Sequence, residues 1–223
     1  MINEIIDYTK LTITATEEDI KALIDTAIEK NCASVCIPPA YVKFGKEYAN
    51  NKMKICTVIG FPNGYNTTET KIFETQDAIE NGADEIDMVI NLGWVKDKKF
   101  ANIYAEIEKL ASLVHKNNKI LKVIIETCQL EIDELKKMCE IVATSGADFI
   151  KTSTGFSTKG AEEDSVKIMK EEMDKWNKDE RLKQIYPMRD KIRIKASGGI
   201  RSIEAAETFK NLGAERIGCS KVF

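Results

Sequence analysis

The sequence predicts an α/β chain folded as a single (β/α)8 barrel of the TIM type, and three observations carry that prediction. Short apolar runs alternate with amphipathic helical patterns from end to end, which implies parallel strands joined by right-handed crossovers. The 223 residues divide into eight units of about 28 residues, near the lower size limit for such a barrel. A weak repeat recurs at spacings of 64 and 67 residues: Gly82-Ala83-Asp84-Glu85-Ile86-Asp87, Gly146-Ala147-Asp148-Phe149-Ile150-Lys151 and Gly213-Ala214-Glu215-Arg216-Ile217-Gly218. A closed ring of equivalent units explains that recurrence more simply than an open sheet. The open, doubly wound alternative also wants a Gly-x-Gly-x-x-Gly at its first helix, and the sequence has none there.

Each element has a local reason. Ile5 to Thr9 supplies a first strand. Thr16-Glu17-Glu18-Asp19 reads as a capping box ahead of Ile20, Leu23, Ile24, Ala27 and Ile28 on one helical face. Ser34 to Ile37 is a strand ended by Pro38-Pro39, and Met53 to Gly60 is a β-branched run stopped by Pro62-Asn63-Gly64. A helix through Ile72, Phe73 and Ile79 stops at Asn81-Gly82. Strands at Glu85 to Ile90, Leu121 to Glu126, Phe149 to Thr152, Ile192 to Ala196 and Glu215 to Gly218 follow, with helical stripes between them. The charged segment Asp174 to Lys191, with Trp176, Asp179 and Tyr186-Pro187, reads as a surface excursion. No linker or composition break divides residues 1–223, so one barrel domain is expected, and no residues follow the last strand to form a closing C-terminal helix. An uncovered apolar groove at that strand predicts cover from a neighbouring loop or a second subunit, as in a homodimer.

Composition narrows the function. Hydrophobic residues make up 43% and charged residues 31%, which excludes a disordered or collagen-like chain. Lys+Arg 33 against Asp+Glu 36 leaves a net charge of −3, so nothing global points to nucleic acid or an anionic membrane. No apolar run is long enough for a membrane span, and Met1-Ile2-Asn3-Glu4 has an acid where a secretory signal carries bases. Six cysteines without CxxC pairing fit reduced thiols in the cytoplasm. The single histidine, His115, ends the stripe Ile103, Ile107, Leu110, Ala111, Val114, where it complements a helix dipole. One histidine excludes multi-His metal sites and HExxH proteases. Acid–base work then falls to carboxylates and lysines.

Three charges stand where barrel strands should be apolar. Asp87 interrupts Ile86 and Met88-Val89-Ile90, Lys151 follows Phe149-Ile150, and Lys195 follows Ile194. Stripping water from such groups costs several kcal/mol unless something compensates it. Three of them at the C-terminal parts of their strands are expected to converge, that being the end where barrel enzymes keep their chemistry. The bland alternative is ragged strand ends with both lysines reaching back to solvent. A lysine attacks a carbonyl only as the neutral amine, and burial beside a second ammonium favours that form. Of Lys151 and Lys195, one is then the nucleophile and the other its tuner, with Asp87 as the proton carrier. Ser197-Gly198-Gly199-Ile200-Arg201 and Gly218-Cys219-Ser220 read as a phosphate cradle after the last two strands.

The segments Phe149-Ile150-Lys151-Thr152-Ser153-Thr154-Gly155-Phe156 and Ile194-Lys195-Ala196-Ser197-Gly198-Gly199-Ile200-Arg201 resemble the two signatures of the deoxyribose-phosphate aldolases. Glu85 to Val89, Val123 to Thr127 and Val35 to Pro38 resemble that family's other strands in the same order. The resemblance implies reversible, cofactor-free cleavage of 2-deoxy-D-ribose 5-phosphate into acetaldehyde and D-glyceraldehyde 3-phosphate. It assigns Lys151 to the Schiff base, Lys195 to the second lysine and Asp87 to the proton relay. Asp7 and Thr9 fall near the sugar hydroxyls, and Thr154, Gly155, Gly198, Gly199, Gly218 and Ser220 on substrate or phosphate positions. Tyr8 stands where the family commonly has His, and Cys219 and Lys221 where it has small residues. A phosphosugar-binding barrel without catalysis, and another Schiff-base aldolase or transaldolase, are the competing readings.

Overall fold

The computed structural model describes residues 1–186 and 190–223. Eight parallel strands close into a barrel in sequence order, β8 pairing with β1 through Ile6↔Ile217, Asp7↔Gly218 and Tyr8↔Cys219. The strands are β1 Ile6–Thr9, β2 Ser34–Ile37, β3 Ile55–Ile59, β4 Glu85–Val89, β5 Ile120–Ile124, β6 Phe149–Lys151, β7 Arg193–Ser197 and β8 Arg216–Cys219. Around them run α1 Glu17–Glu29, α2 Val42–Ala49, α3 Thr68–Glu80, α4 Leu92–Lys96, α5 Phe100–Lys116, α6 Ile132–Thr144, α7 Glu163–Trp176, α8 Glu180–Ile185 and α9 Ile203–Asn211. No helix among the described residues is long and apolar enough to cross a membrane.

The expected punctuation forms. Thr16 Oγ1 accepts from the Asp19 amide, and the Asp19 carboxylate accepts from the Thr16 amide, closing the capping box of α1. The repeat is a device for starting strands. Gly82, Gly146 and Gly213 take positive φ of 101°, 94° and 104°, ending α3, α6 and α9, and a buried alanine follows each. The next residue then clips a neighbouring strand: Asp84 Oδ2 accepts from the Ile55 amide at 2.9 Å and Asp148 Oδ2 from the Leu121 amide at 2.8 Å. Glu215 instead pairs with Lys191 at 2.7 Å. His115, in the last turn of α5, also reaches Asp148, at 2.9 Å.

Several expectations need correction. α2 lies where no helix was read. α3 does not turn Phe73 inward: that ring is 73% exposed, and Lys71, Thr75 and Ala78 are buried instead. Lys71 faces α5 because its ammonium reaches Glu106 Oε2 at 2.9 Å and the Val89 carbonyl at 2.8 Å. The predicted strand to Glu126 stops at Ile124, and Glu126 itself takes φ of 51°. The segment 174–191 holds the end of α7 and α8, and it is tied down by Asn177, which bonds both the amide and the carbonyl of Ile192. Tyr186 donates to the Thr144 carbonyl, while Pro187 lies outside the described residues.

Apolar side chains of the strands face the helices, and the lumen is filled largely by charge. On β4, Ile86 and Met88 join the shell core while Glu85 and Asp87 point in; on β5, Lys122 points in between Leu121 and Val123. Arg193 and Arg216 lie over the Phe149 ring at 4.2 and 5.4 Å, forming the lower layer. No helix follows β8 among the described residues. Its outward side chains Ile217 and Cys219 are nevertheless buried. α9 packs on β8, and Phe223 meets the Tyr8 ring edge-on at 5.4 Å. Of the two covers expected from the sequence, a neighbouring segment of the same chain is the one seen among the described residues.

Candidate active site

Register brings the predicted charges together. Lys151 is opposite Lys195 across β6 and β7, and Asp87 is opposite Lys122 across β4 and β5. Lys151 Nζ and Lys195 Nζ both donate to one oxygen of Asp87, Oδ2, at 2.7 and 2.8 Å. Lys195 also donates to Asp7 Oδ2 at 2.5 Å. Ragged strand ends are thereby excluded: the two lysines are 4% and 1% exposed.

Four lumen charges escaped the sequence reading. Lys122 donates to the other Asp87 oxygen, Oδ1, at 2.7 Å and to Glu85 Oε2 at 2.6 Å. Arg216 bridges Asp7 Oδ1 at 2.6 Å and Glu85 Oε2 at 2.9 Å, and Arg193 stacks on Phe149 beneath them. The signal was available, since Lys122 interrupts Ile120-Leu121 and Val123-Ile124 much as Asp87 interrupts its own run. The donor groups Cys36/Cys56/Asp87 and Asp7/Cys56/Glu85 are close enough for a metal. The Lys122 ammonium already lies among them, 3.3 Å from Cys56 Sγ and bonded to Asp87 and Glu85.

Electrostatics hold most of this lattice ionised. Burial alone would raise Asp87, but the ammoniums of Lys122, Lys151 and Lys195 outweigh it and keep the carboxyl well below the usual range. Asp7 is lowered in the same way, burial being overcome by Lys195, Arg216 and Lys122. Burial opposes the charge on Lys195, yet Asp7 and Asp87 raise its pKa, so it stays a cation. Lys122 is raised against burial by Asp87, Cys56, Glu85 and Asp7. Within the connected network, Lys122, Lys151, Lys195 and Arg216 face the carboxylates of Asp7, Glu85 and Asp87. One cation is in excess. Lys151 is the most exposed of the three lysines, and Asp87 is the carboxylate it pairs with.

The rim residues divide into two groups. Thr154 is buried, its hydroxyl and amide both donating to Glu126, whose carboxyl burial pushes up. Thr9 Oγ1 donates to the Asp7 carbonyl. Gly218 faces inward, where a Cβ would meet Ser197 Cβ at 2.8 Å and Lys195 Cε at 3.2 Å. Gly198, at φ 87°, packs against Gly155 and Gly160, while a Cβ on Gly199 would meet nothing within 4 Å. Ser202 caps α9 directly after this turn. Arg201 and Ser220 are exposed, and among the described residues neither bonds to the lysine cluster. A cavity of about 320 Å³ opens over Glu126, Thr154, Phe156, Pro62 and Asn63 at the same end. A larger one, about 530 Å³, lies at the opposite end between α7 and α9.

A family model described as DeoC/LacD family aldolase matches residues 5–217. The chain belongs to this aldolase family. Among its relatives, a deoxyribose-phosphate aldolase of Clostridioides difficile (strain 630) is 52% identical over 217 residues, covering 97% of this chain and 91% of the relative. One of Streptococcus pyogenes serotype M4 is 49% identical, covering 97% and 90%. The tetrameric deoxyribose phosphate aldolase of Aeropyrum pernix superposes with a TM-score of 0.83 at 31% identity, covering 98% of this chain and 86% of that one. As a DeoC/LacD family member the protein is an aldolase, a lyase on a closed eight-stranded barrel.

Proposed function

We propose that the protein is a class I aldolase that reversibly cleaves 2-deoxy-D-ribose 5-phosphate into acetaldehyde and D-glyceraldehyde 3-phosphate, with Lys151 as the Schiff-base nucleophile. The observation that carries this reading is the shared Asp87 oxygen: two buried lysines meet on one carboxylate oxygen inside the barrel. Beside Lys151, Lys195 is held as a cation, against burial, by Asp7 and Asp87.

The neutral Lys151 amine adds to the C1 aldehyde, and Asp87 carries the proton that converts carbinolamine to iminium as water leaves. The iminium draws electrons from the C2–C3 bond as the C3 hydroxyl loses its proton. D-Glyceraldehyde 3-phosphate departs and an enamine remains. Protonation at C2 and hydrolysis release acetaldehyde and restore Lys151. None of these steps requires a metal or an organic cofactor.

Asp7, Thr9 and Thr154 are assigned to the sugar hydroxyls. Gly155, Gly198, Gly199, Arg201, Gly218 and Ser220 are assigned to the phosphate. Support for the latter is the glycine turn ahead of the α9 N-terminus, with open space at Gly199. We assign the whole of residues 1–223 to one catalytic unit working in the cytoplasm on small sugar phosphates and aldehydes, without nucleic acid or membrane partners. Self-association as a homodimer is part of the same reading, and the tetrameric relative makes it reasonable.

Borohydride reduction with acetaldehyde tests the mechanism. The expected product is an ethyl adduct on Lys151 that disappears in Lys151→Ala. A binding barrel without catalysis gives no adduct, and cleavage of other sugar phosphates in preference to deoxyribose 5-phosphate would replace the substrate assignment.

A further inference from the structure

Cys36 and Cys56 have no part in the chemistry above, yet they sit at its edge. They are register partners on β2 and β3, where neighbouring backbones run about 4.8 Å apart, within the Cα range that a disulfide spans. Their sulfurs and an Asp87 oxygen all lie within 4.8 Å of one another. Cys56 Sγ donates to Asp87 Oδ1 at 3.1 Å and accepts from Lys122 Nζ at 3.3 Å. With Val58 the two thiols form a cluster separate from the main core, and Leu11 and Phe61 packed over it are partly exposed. Two thiols are therefore held side by side among ammonium groups, one layer of side chains below the mouth.

We propose that Cys36 and Cys56 are an oxidisable dithiol that small hydroperoxides convert to a reversible disulfide, withdrawing the Cys56 thiol from Asp87 and switching the site off. The pair is asymmetric. The neighbouring Cys56 lowers the Cys36 thiol against its burial, whereas burial raises Cys56. Electropositive surroundings favour the reactive thiolate. Cys36 and Cys56 are 1% and 0% exposed, so a peroxide must be small enough to pass the partly exposed Leu11 and Phe61. The Cys36 thiolate attacks the peroxide O–O bond, becoming a sulfenic acid and releasing hydroxide. The Cys56 sulfur then displaces hydroxide from that sulfenic sulfur, forming S–S. Two thiols lose two electrons, and with its protons one H2O2 becomes two waters.

The effect on turnover rests on the role given to Asp87, whereas the bridge itself does not. The full-length protein is treated with hydrogen peroxide, its remaining thiols are blocked, and it is digested without reductant for mass mapping. The expected result is loss of two of the six thiols and a peptide pair joined through Cys36 and Cys56. Deoxyribose 5-phosphate cleavage should fall in step with that bridge and return with dithiothreitol. Cys56→Ala, compared with its own untreated rate, should show no dithiothreitol-reversible loss. Bridging only between other cysteines, or peroxide damage at Cys36 with Cys56 left free, overturns the proposal. So does a bridged protein with unchanged turnover. An untreated wild type that cleaves no deoxyribose 5-phosphate refutes the proposed function instead, and the mass map still decides the bridge.

Discussion

Asp87 is asked to serve two lysines on one oxygen and a third on the other. A carboxylate can pass a proton between such partners, and an amide of the same shape cannot. Asp87→Asn should therefore keep the barrel while lowering turnover by about 10²–10⁴-fold, read by single-turnover cleavage; unchanged turnover removes it from the mechanism. Lys195→Leu deletes the neighbouring ammonium, so Lys151 holds its proton more tightly. The rising limb of the pH–rate profile should move to higher pH, and the same displacement should appear in borohydride trapping rates. A limb that stays in place refutes the tuning role. Asp87, Lys151 and Lys195 were legible because a charge inside an apolar run has few explanations. Lys122 carried the same mark at the same mid-strand place as Asp87, its register partner, while Glu85 and Arg216 open their strands beside another charged residue. Periodicity alone does not say that a lumen will be ionic when barrels usually pack branched apolar side chains there.

Between elements, the α3–α5 contact is made by a fully buried ion pair. Burial lowers Lys71 and raises Glu106, each offset by the other. Breaking such a pair leaves an uncompensated charge, so Lys71→Met should cost about 3–5 kcal/mol, measured by urea unfolding. The double variant Lys71→Met with Glu106→Leu should regain most of that loss, and an additive double loss would contradict the pairing. The apolar stripe expected for α3 missed this because Ile72 and Phe73 are adjacent, and adjacent helical residues do not share a face. α2 went unread because its buried face is Val42, Gly45 and Ala49, one branched residue and two small ones. Gly45 is small for a reason: a Cβ there would lie 2.7 Å from Ile37 Cδ1. The strand–helix order, the caps and the Gly-Ala-Asp stops were legible because each depends on a few neighbouring residues.

Across the whole molecule, one end of the barrel clips strands together and the other carries the proposed site, while the ionic lumen joins them. Asp7 and Asp87 have folded-state pKa values below the 3.8 of a free aspartate. The stability they contribute is present above that value and is lost as pH falls towards the folded-state values. The urea midpoint should accordingly drop between pH 5 and pH 3, and the drop should shrink in Asp7→Asn, whose starting midpoint is lower; an undiminished drop assigns acid sensitivity elsewhere. The near-complete seclusion of Lys195 and Asp87 reaches into how the protein responds to brine. Dissolved ions gather only where water goes, and at physiological ionic strength they blunt exposed charges beyond about 8 Å. Arg201 and Lys221 stand in that water; the lysine pair does not. Added sodium chloride should weaken capture of a phosphorylated sugar, seen as a higher KM, while the pH at which Lys151 becomes reactive stays where it was.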